Sequence, residues 1–373
     1  MRIIFGAVVS LPPYSAGRAL NWLHHVVGLS RLGHDVYFVE EIDEGWGAAQ
    51  RGRLRTFFET TMAAYGLTEK ACRLSANGEP TVGLSRRQLE AVSRKADLLI
   101  NVSGHVKQDW LLGNVARRVY LDQDPVYTQL WHSEYRVDIG LGAHDVFVTV
   151  GLNIGTRHSP IPDCGLTWHH TLPPVILNGP PAASRSNARF TTVASWNPYG
   201  DLRHRGKWYR SKYREFERLR DLPKLVDQEL ELAFSCAPDL EGEVRKLAEH
   251  GWHLRDAKSI DTLSRYRRYI SASRAELGIA KNAYVRARSG WFSDRAAHYL
   301  AAGRPVLAQS TGFERHLPTG SGLLTFKTLA GAAAGIEEIA TNYEAHSRAA
   351  REFAAEHLDY RKVLPALLEA CAR

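Results

Sequence analysis

The sequence contains little cysteine and no long apolar run, and these two absences exclude several classes of protein. Its four cysteines are far apart and form no C-x-x-C pair: Cys72, Cys164, Cys236 and Cys371. This spacing is unlike that of a zinc site or a disulfide scaffold and is typical of a reducing compartment, so we expect a cytoplasmic protein. No apolar stretch reaches the roughly 18 residues of a membrane-spanning helix, so we expect no transmembrane segment.

The N-terminus also lacks the features of a secretory signal. Residues 1–11 (MRIIFGAVVSL) have one Arg and then a short apolar run, whereas a signal peptide needs a longer apolar stretch and a cleavage site. The run instead predicts a buried first strand. With 373 residues, 44% of them hydrophobic and 24% charged, the chain has an ordinary globular composition and is long enough for two domains.

Positive charge is concentrated in two segments of the second half. Residues 203–220 hold eight Lys or Arg against two Glu, and residues 265–295 hold eight against Glu276 and Asp294, while the rest of the chain is slightly acidic. A binder of polyanions often spreads its charge over a face, whereas a diphosphate site needs only a few cations in one cleft. The alternative is that most of these Arg lie on solvated helix faces.

The first 40 residues predict a β-α-β unit. Residues 3–9 form an apolar run, apolar residues then recur at helical spacing up to Gly33, and residues 35–39 (DVYFV) predict a second strand. Such a unit predicts a parallel sheet. The loop over residues 10–17 lacks G-x-G-x-x-G, the glycines that let a backbone approach a dinucleotide pyrophosphate, which disfavours an NAD enzyme.

Three more predicted strands, at residues 97–102, 118–121 and 146–150, each end in polar residues. Ligands bind at the carboxyl ends of strands in open α/β sheets. We therefore expect one crevice to be faced by Ser103, Gly104, His105, Asp122, Asp124 and Asn153.

Three of these residues are candidates for catalysis. His105 at a strand end is placed to act as a general base, the alternative being a neutral, hydrogen-bonded histidine. Asp122 and Asp124 form a D-x-D pair, which in some sugar transferases holds a divalent metal through oxygen ligands. Pro125 and the lack of a third nearby carboxylate favour a structural turn in which a carboxylate accepts backbone amides. We predict no metal site and no cofactor.

The second half begins after a segment of linker composition, residues 178–189, which contains two prolines, a glycine and small polar residues. We therefore predict domains at 1–178 and 179–345, followed by a C-terminal helix at 346–373. A fresh strand is predicted at 190–196, followed by a cationic loop that contains Arg205 and Lys207. A helix should follow, with Tyr209, Tyr213, Phe216 and Leu219 at helical spacing.

Residues 289–308 (SGWFSDRAAHYLAAGRPVLA) are the most informative stretch. Ser293 is a good N-cap residue for a short helix from Arg295 to Ala302, which Gly303 would end. A helix N-terminus suits a diphosphate, although an ordinary loop–helix–strand unit would look the same. A cation at Arg295 is unfavourable for the helix dipole, which predicts a bound anion. The alternative is that Arg295 faces solvent or pairs with Asp294 or Glu314.

Three motifs carry a resemblance to a known family. They are P-P-x-x-x-G at residues 12–17, G-H-D-V at 33–36 and A-A-G-R-P-V-L-A at 301–308. With two αβ halves, they resemble GT-B-fold glycosyltransferases, in particular the bacterial nucleotide-sugar-dependent, glycogen-synthase-like group. The resemblance implies two Rossmann-like αβ domains facing a cleft, with the C-terminal helix packing back on the N-terminal, acceptor-binding domain. It also implies metal-independent sugar transfer from a nucleoside-diphosphate sugar to a small-molecule or glycan acceptor.

The resemblance places the donor in the second domain. It puts Gly17 at the floor of the cleft, assigns the diphosphate to Arg205, Lys207 and Lys212, and sets Ser293, Asp294 and Arg295 at the phosphate-facing helix start. Predicted strand ends and edges add further donor-site candidates: Leu254, Thr311, Gly312, Phe313 and Glu314. One departure is that the two acidic positions of the family's E-x7-E pattern hold Gly290 and His298. The sugar contact of the first Glu is then missing or supplied by Asp294 or Glu314.

Two rival functions remain open at this point. The pI of 9.3 and the Trp and Tyr residues near Arg are compatible with a non-enzymatic binder of anions or nucleic acid. A sugar-nucleotide epimerase of the same double fold is the second rival. We expect a nucleotide sugar and an unidentified acceptor as partners, and no nucleic acid.

Overall fold

The computed structural model describes residues 1–10, 16–42, 45, 47–177, 179 and 188–372. The two prolines of the 12–17 motif and most of the predicted linker at 178–189 lie outside the described residues. The predicted boundary between residues 178 and 179 therefore stays a prediction.

The first half of the chain builds an eight-stranded sheet in the order β4-β3-β2-β1-β5-β6-β7-β8. Every neighbouring pair is parallel except β3 and β4. Ile3, Ile4 and Phe5 of β1 have no exposed surface, as expected for a parallel strand covered on both faces. The strands are β1 (Arg2–Gly6), β2 (Asp35–Ile42), β3 (Ala71–Ser75), β4 (Pro80–Gly83), β5 (Leu98–Val102), β6 (Arg118–Asp122), β7 (Val146–Thr149) and β8 (Trp168–His170).

Helices cover both faces of this sheet. Gly33, predicted to end the first helix, lies two residues beyond it with a φ of 89°, a backbone conformation that glycine adopts without strain. The helices of this half are α1 (Ala16–Arg31), α2 (Ala48–Ala64), α3 (Arg86–Ser93), α4 (Asp109–Leu112) and α5 (Tyr127–Ser133).

The second half builds a six-stranded, fully parallel sheet in the order β13-β12-β9-β14-β15-β16. Its strands are β9 (Phe190–Ser195), β12 (Leu230–Ser235), β13 (His253–Asp256), β14 (Ala275–Gly278), β15 (Val306–Gln309) and β16 (Leu323–Phe326). Its helices are α6 (Tyr213–Leu219), α7 (Glu241–Arg245), α8 (Leu263–Ala272), α9 (Asn282–Ala287), α10 (Asp294–Ala301), α11 (Leu329–Thr341), α12 (Tyr343–Phe353) and α13 (Tyr360–Ala372).

The predicted helical spacing from Tyr209 onward is wrong for its first residue. Residues 202–209 instead form an antiparallel hairpin of β10 (Leu202–His204) and β11 (Lys207–Tyr209), and α6 starts only at Tyr213. Arg205 and Gly206 at the turn have φ angles of 48° and 75°. Two successive positive φ angles are typical of a tight hairpin turn, which the periodicity of the aromatic residues did not reveal.

The C-terminal helix α13 packs on the first half, as the fold class predicted. Leu364 is fully buried in the core of the first sheet, and a Cβ atom at Gly28 of α1 would lie 2.5 Å from its Cδ1 atom. The chain thus returns from the second αβ unit to close over the first. In the part of the chain that the structure describes, no helix is long and apolar enough to cross a membrane.

Candidate active site

A cavity of about 660 Å³ lies between the carboxyl ends of the two sheets. The first half lines it with the segments after β5, β6 and β7, and the second half with those after β9, β12 and β14 and with the start of α10. Of the residues predicted from sequence, six line this cleft: Ser103, His105, Asp124, Lys212, Asp294 and Arg295. Parallel strands bring these segments together because their carboxyl ends meet at one edge of each sheet.

Asp124 joins the two halves of the chain at this cleft. Its carboxylate accepts hydrogen bonds from Lys281 Nζ at 2.5 Å, Tyr284 Oη at 2.7 Å and Tyr199 Oη at 2.8 Å. Burial would raise the pKa of Asp124, but the Lys281 ammonium and these hydrogen bonds hold it below its ordinary value. Asp124 is therefore an ionised carboxylate with its charge compensated, which makes it a poor proton acceptor.

Asp122 does not reach the cleft, and its selection as a catalytic candidate is not supported by its position. The carboxylate is fully buried and accepts hydrogen bonds from Thr128 Oγ1 at 2.6 Å, Thr149 Oγ1 at 2.8 Å and the Asp124 amide at 3.0 Å. These bonds hold the turn that follows β6, where Val126 has a φ of 81°. Asp122 thus stabilises the structural turn that was predicted from Pro125. This turn places Asp124 at the cleft.

His105 faces the cleft from the segment after β5. Ser103 and Gly104 before it both have positive φ angles, 50° and 66°, which turn the chain toward the cavity. A Cβ atom at Gly104 would lie 2.5 Å from the carbonyl oxygen of Ile139, so only glycine fits there. Burial, with Arg18 and Lys107 nearby, lowers the pKa of His105 to about 4. At neutral pH the imidazole is uncharged and can accept a proton.

Lys212 is a buried lysine that lines the cleft. It is only 6% exposed, and no carboxylate in the described part of the chain lies within ion-pair distance of its ammonium. Burial, followed by the charges of Arg295 and Lys281, lowers its pKa well below the ordinary value. A buried amine beside two other cations is a site that an anionic ligand would stabilise.

Arg295 reaches the cleft from the first turn of α10 and pairs with Glu276 of β14. Its Nε atom lies 2.6 Å from Glu276 Oε1, whereas its Nη2 atom is buried without a hydrogen-bond partner among the described residues. The sequence offered Asp294, Glu314 or solvent as partners, and none of these forms the observed ion pair. Glu276 also relieves the predicted clash with the helix dipole, so that clash alone does not require a bound anion.

The start of α10 is built as the sequence predicted. The Ser293 hydroxyl and one oxygen of Asp294 accept hydrogen bonds from the Arg295 amide, at 3.2 Å and 2.8 Å. Ser293 is therefore the N-cap, and Asp294 places a carboxylate at the cleft. The helix then ends at Ala301 and Gly303 adopts a φ of 68°.

Several predicted donor residues lie away from the cleft. Arg205 and Lys207 are exposed at the hairpin turn, Leu254 is half-buried on the edge strand β13, and Gly17 packs against the Tyr266 ring. None of the four lines the cavity. The hairpin explains the position of the two cations, because it carries them away from the strand end that precedes it.

The segment after β15 is also turned away from the cavity. Thr311 Oγ1 donates to the Trp291 carbonyl, Phe313 is buried in the core, and Glu314 accepts hydrogen bonds from Ser310 and from the Gly312 amide. These four predicted donor residues, Thr311 to Glu314, shape the wall behind Trp291 and do not line the cleft.

Asn153 bridges the two halves and does not face the crevice. Its Nδ2 atom donates to the Arg288 carbonyl at 2.8 Å, and its Oδ1 atom lies 2.8 Å from His316 Nε2. Gly290 packs against the same segment, where a Cβ atom would lie 2.7 Å from the Asn153 amide nitrogen. A side chain therefore does not fit at Gly290, which explains why the first Glu of E-x7-E is replaced.

His298, at the second E-x7-E position, is also outside the cleft. Its ring packs edge-on against His24 at 5.4 Å between centroids, and its Nδ1 atom lies 3.3 Å from Tyr266 Oη. Burial, with Arg267 and Arg295 nearby, lowers the pKa of His298 to about 3. It fills the contact between α1 and α10 as a neutral side chain.

Sequence reasoning missed Lys281, Tyr284 and Glu276. Lys281 follows β14 by three residues, so the strand-end rule applied to the first half would have identified it. In the sequence, Glu276 was noted only as one of the acidic residues in a basic segment. An acidic residue in a buried strand indicates a charged partner, because acidic side chains are rarely buried without one. Among the residues that the structure describes, no group of three or more His, Cys, Asp or Glu could hold a metal ion.

The chain is similar to one protein family and to several solved structures. Residues 214–369 match the family described as Glycosyl transferase-like. HepE of Anabaena, solved with UDP and glucose, has 12% identity and a TM-score of 0.56, with 100% of this chain and 99% of HepE covered. AviGT4, a glycosyltransferase involved in avilamycin A biosynthesis, has 12% identity and a TM-score of 0.57, with 100% and 97% covered.

An alpha-glucosyltransferase solved with UDP and a 13-mer DNA has 13% identity and a TM-score of 0.59, with all of both chains covered. No curated protein matches the chain in sequence. At these identities the solved structures show the fold, and the family match covers the part of the chain that forms most of the second sheet. The chain therefore has the GT-B fold, and its residues 214–369 are similar to the family described as Glycosyl transferase-like.

Proposed function

We propose that the protein transfers a sugar from a nucleoside-diphosphate sugar to an acceptor hydroxyl, with the diphosphate held by Lys212 and Arg295. The observation that carries this proposal is the pair of unsatisfied cationic groups at one wall of the cavity. The Lys212 ammonium is buried without a carboxylate partner, and Arg295 Nη2 is buried without a hydrogen-bond partner, among the described residues. A diphosphate supplies both with charge-assisted hydrogen bonds.

The start of α10 adds to the same wall. The side chains of Ser293 and Asp294 accept hydrogen bonds from the Arg295 backbone amide. The partial positive charge of the helix N-terminus favours an anion nearby. The solved proteins HepE and the alpha-glucosyltransferase contain UDP, which makes a uridine diphosphate sugar the first donor to test.

The proposed chemistry follows from where these cations lie. Breaking the bond between the anomeric carbon and the diphosphate oxygen leaves charge on the diphosphate and an oxocarbenium-like sugar. Two fixed cations stabilise that charge more in the transition state than in the bound donor. We propose that they take the place of a divalent metal.

The acceptor would enter from the wall that the first half supplies. His105 faces the cavity as a neutral imidazole. It is our candidate for the group that accepts a proton from an acceptor hydroxyl, although its low pKa makes it a weak base. The acceptor is then a small molecule or a glycan. The alpha-glucosyltransferase contains DNA, so our expectation that nucleic acid is not a partner is a prediction that needs its own test.

Calorimetric titration with UDP tests the donor site. Lys212→Ala should weaken UDP binding by roughly 10- to 150-fold, the usual range for one charge-assisted contact. Lys207→Ala is the matched control, because Lys207 is an exposed lysine at the hairpin turn, and it should bind UDP as the wild type does. No UDP binding by the wild type, or equal losses in both variants, would refute the diphosphate assignment.

Turnover measurements then separate the remaining alternatives. Incubation of UDP-sugars with EDTA and candidate acceptors should give transfer that Mg²⁺ and Mn²⁺ do not increase. Loss of transfer in EDTA, restored by either ion, would contradict metal independence. An epimerised sugar formed without any acceptor would identify an epimerase instead.

A further inference from the structure

The second sheet contains a buried acidic residue at a position where its neighbours are apolar. Glu276 lies on β14, between β9 and β15, and has no exposed surface. Ala275 and Leu277 on either side of it pack in the core on one face of the sheet. Glu276 therefore points to the other face, toward α10, because side chains alternate along a strand.

A carboxylate in this position needs a reason, because burying an acidic group without full compensation is costly. Its Oε1 atom accepts from Arg295 Nε at 2.6 Å, but its Oε2 atom has no hydrogen-bond partner among the described residues. A purely structural ion pair would favour a fully bonded carboxylate. The open oxygen indicates that the charge matters beyond this one bond.

The groups around Glu276 show where that charge acts. Arg295 and Asp294 face it from α10, and Lys212 faces it from the segment before α6. Arg295 and Lys212 both line the cleft, whereas Glu276 does not. Glu276 thus lies behind the two cations, on the side away from the cavity.

We infer that Glu276 is a positioning residue that orients Arg295 and places a negative charge behind Arg295 and Lys212, so that both side chains can bind the leaving diphosphate. Its bond to Nε fixes the plane of the guanidinium and leaves Nη2 without a hydrogen-bond partner among the described residues. Burial and then the charges of Arg295 and Lys281 lower the pKa of Lys212, and the negative charge of Glu276 acts against this lowering. This inference rests on the proposed function, since it assigns a partner to the same diphosphate site.

The test measures the pKa of Lys212. If Glu276 had only a structural role, replacing it would not change that pKa. Acetic anhydride reacts with neutral amines, so the pH at which Lys212 becomes half-acetylated, measured by peptide mass spectrometry, reports its pKa. For Lys212 the charged groups that decide this value are Arg295 and Asp294 on α10, Lys281 after β14, and Glu276. Glu276→Gln should move the midpoint to lower pH by about one unit or more.

A control and a second variant make the result specific. Glu231→Gln on β12 removes a similar bond, because Arg255 Nε lies 2.6 Å from Glu231 Oε1, and it should leave the Lys212 midpoint unchanged. Glu276→Asp keeps the charge but shortens the side chain. It should therefore keep the midpoint and weaken UDP binding several-fold through the altered Arg295 contact, even if Glu276→Gln does not fold.

The outcomes separate this inference from the proposed function. A wild type that does not bind UDP contradicts the proposed function, and the acetylation midpoint is measured without UDP. An unchanged midpoint in Glu276→Gln would overturn the inference, as would unchanged UDP affinity in Glu276→Asp. A shifted midpoint in Glu276→Gln together with weaker UDP binding in Glu276→Asp supports it.

Discussion

Asp124 Oδ1 lies 2.5 Å from Lys281 Nζ, and this ion pair connects the two αβ units across the cleft. The two residues are 157 positions apart in the chain. The side chains are 24% and 11% exposed, so the pair is largely removed from water. In the first half of the chain, the turn that Asp122 stabilises positions Asp124. In the second half, the hydroxyls of Tyr284 and Tyr199 donate hydrogen bonds to the Asp124 carboxylate.

Breaking this ion pair should destabilise the protein. Asp124→Asn leaves the Lys281 charge buried without its partner, which we expect to cost about 2–4 kcal/mol of unfolding free energy. Asp145→Asn is the matched control, because Asp145 pairs with Arg118 in an exposed ion pair of 2.6 Å and should cost less than about 1 kcal/mol. Urea unfolding measures both, and equal losses would show that the Asp124–Lys281 pair adds no more stability than the exposed pair.

The same ion pair predicts a loss of stability in acid. The pKa of Asp124 lies below its ordinary value of 3.8 in the folded protein, so the unfolded chain binds more protons between the two values. The stabilisation is fully present above about pH 4 and disappears as pH falls through the lowered pKa. Unfolding free energies measured between pH 6 and pH 2 should therefore fall less steeply for Asp124→Asn than for the wild type.

His298 predicts a second pH effect, at higher pH. Its pKa is about 3 in the folded protein and 6.5 in the unfolded chain, so the unfolded chain binds the extra proton between these values. Stability should then fall as pH drops from about 6.5 toward 3, by at most about 1.4 kcal/mol per pH unit from this residue. His298→Asn should flatten that slope, since an Asn amide can still meet the Tyr266 hydroxyl, while the exposed-site variant His132→Asn keeps it.

Arg295→Ala should affect both binding and folding. The loss of its guanidinium should weaken UDP binding by roughly 10- to 150-fold. It also leaves Glu276 buried without its ion-pair partner, so thermal stability should fall as well. Arg205→Ala should change neither quantity, because Arg205 is exposed at the hairpin turn. Equal UDP affinity in the wild type and Arg295→Ala would remove Arg295 from the donor site.

Gly290→Ala should destabilise the protein more than another glycine substitution in the same backbone region. Gly290 has a φ of 74°, and its Cβ atom would lie within 3.0 Å of the Asn153 and Leu152 backbones. Gly66 has a φ of 69° with open space around it, so Gly66→Ala meets only the backbone strain of about 1 kcal/mol. Comparing the unfolding midpoints of the two variants isolates the steric part, and equal midpoints would contradict it.

Most of the elements that surround the site could be predicted from local residue patterns. Continuous apolar runs predicted the buried parallel strands, because a strand covered on both faces needs apolar residues throughout. Ser293 and Gly303 marked the limits of α10 through capping, which depends only on neighbouring residues. The strand-end rule brought His105 and Asp124 to the cleft, as observed.

The pairing of the charged groups could not be predicted from local patterns, because it depends on how distant elements pack. Arg295 pairs with Glu276 and not with its neighbour Asp294, since β14 lies directly beneath the first turn of α10. Asp122 turns inward while Asp124, two residues later, crosses to Lys281. Which distant residues form an ion pair depends on how whole helices and strands pack. A local residue pattern therefore does not predict these pairs.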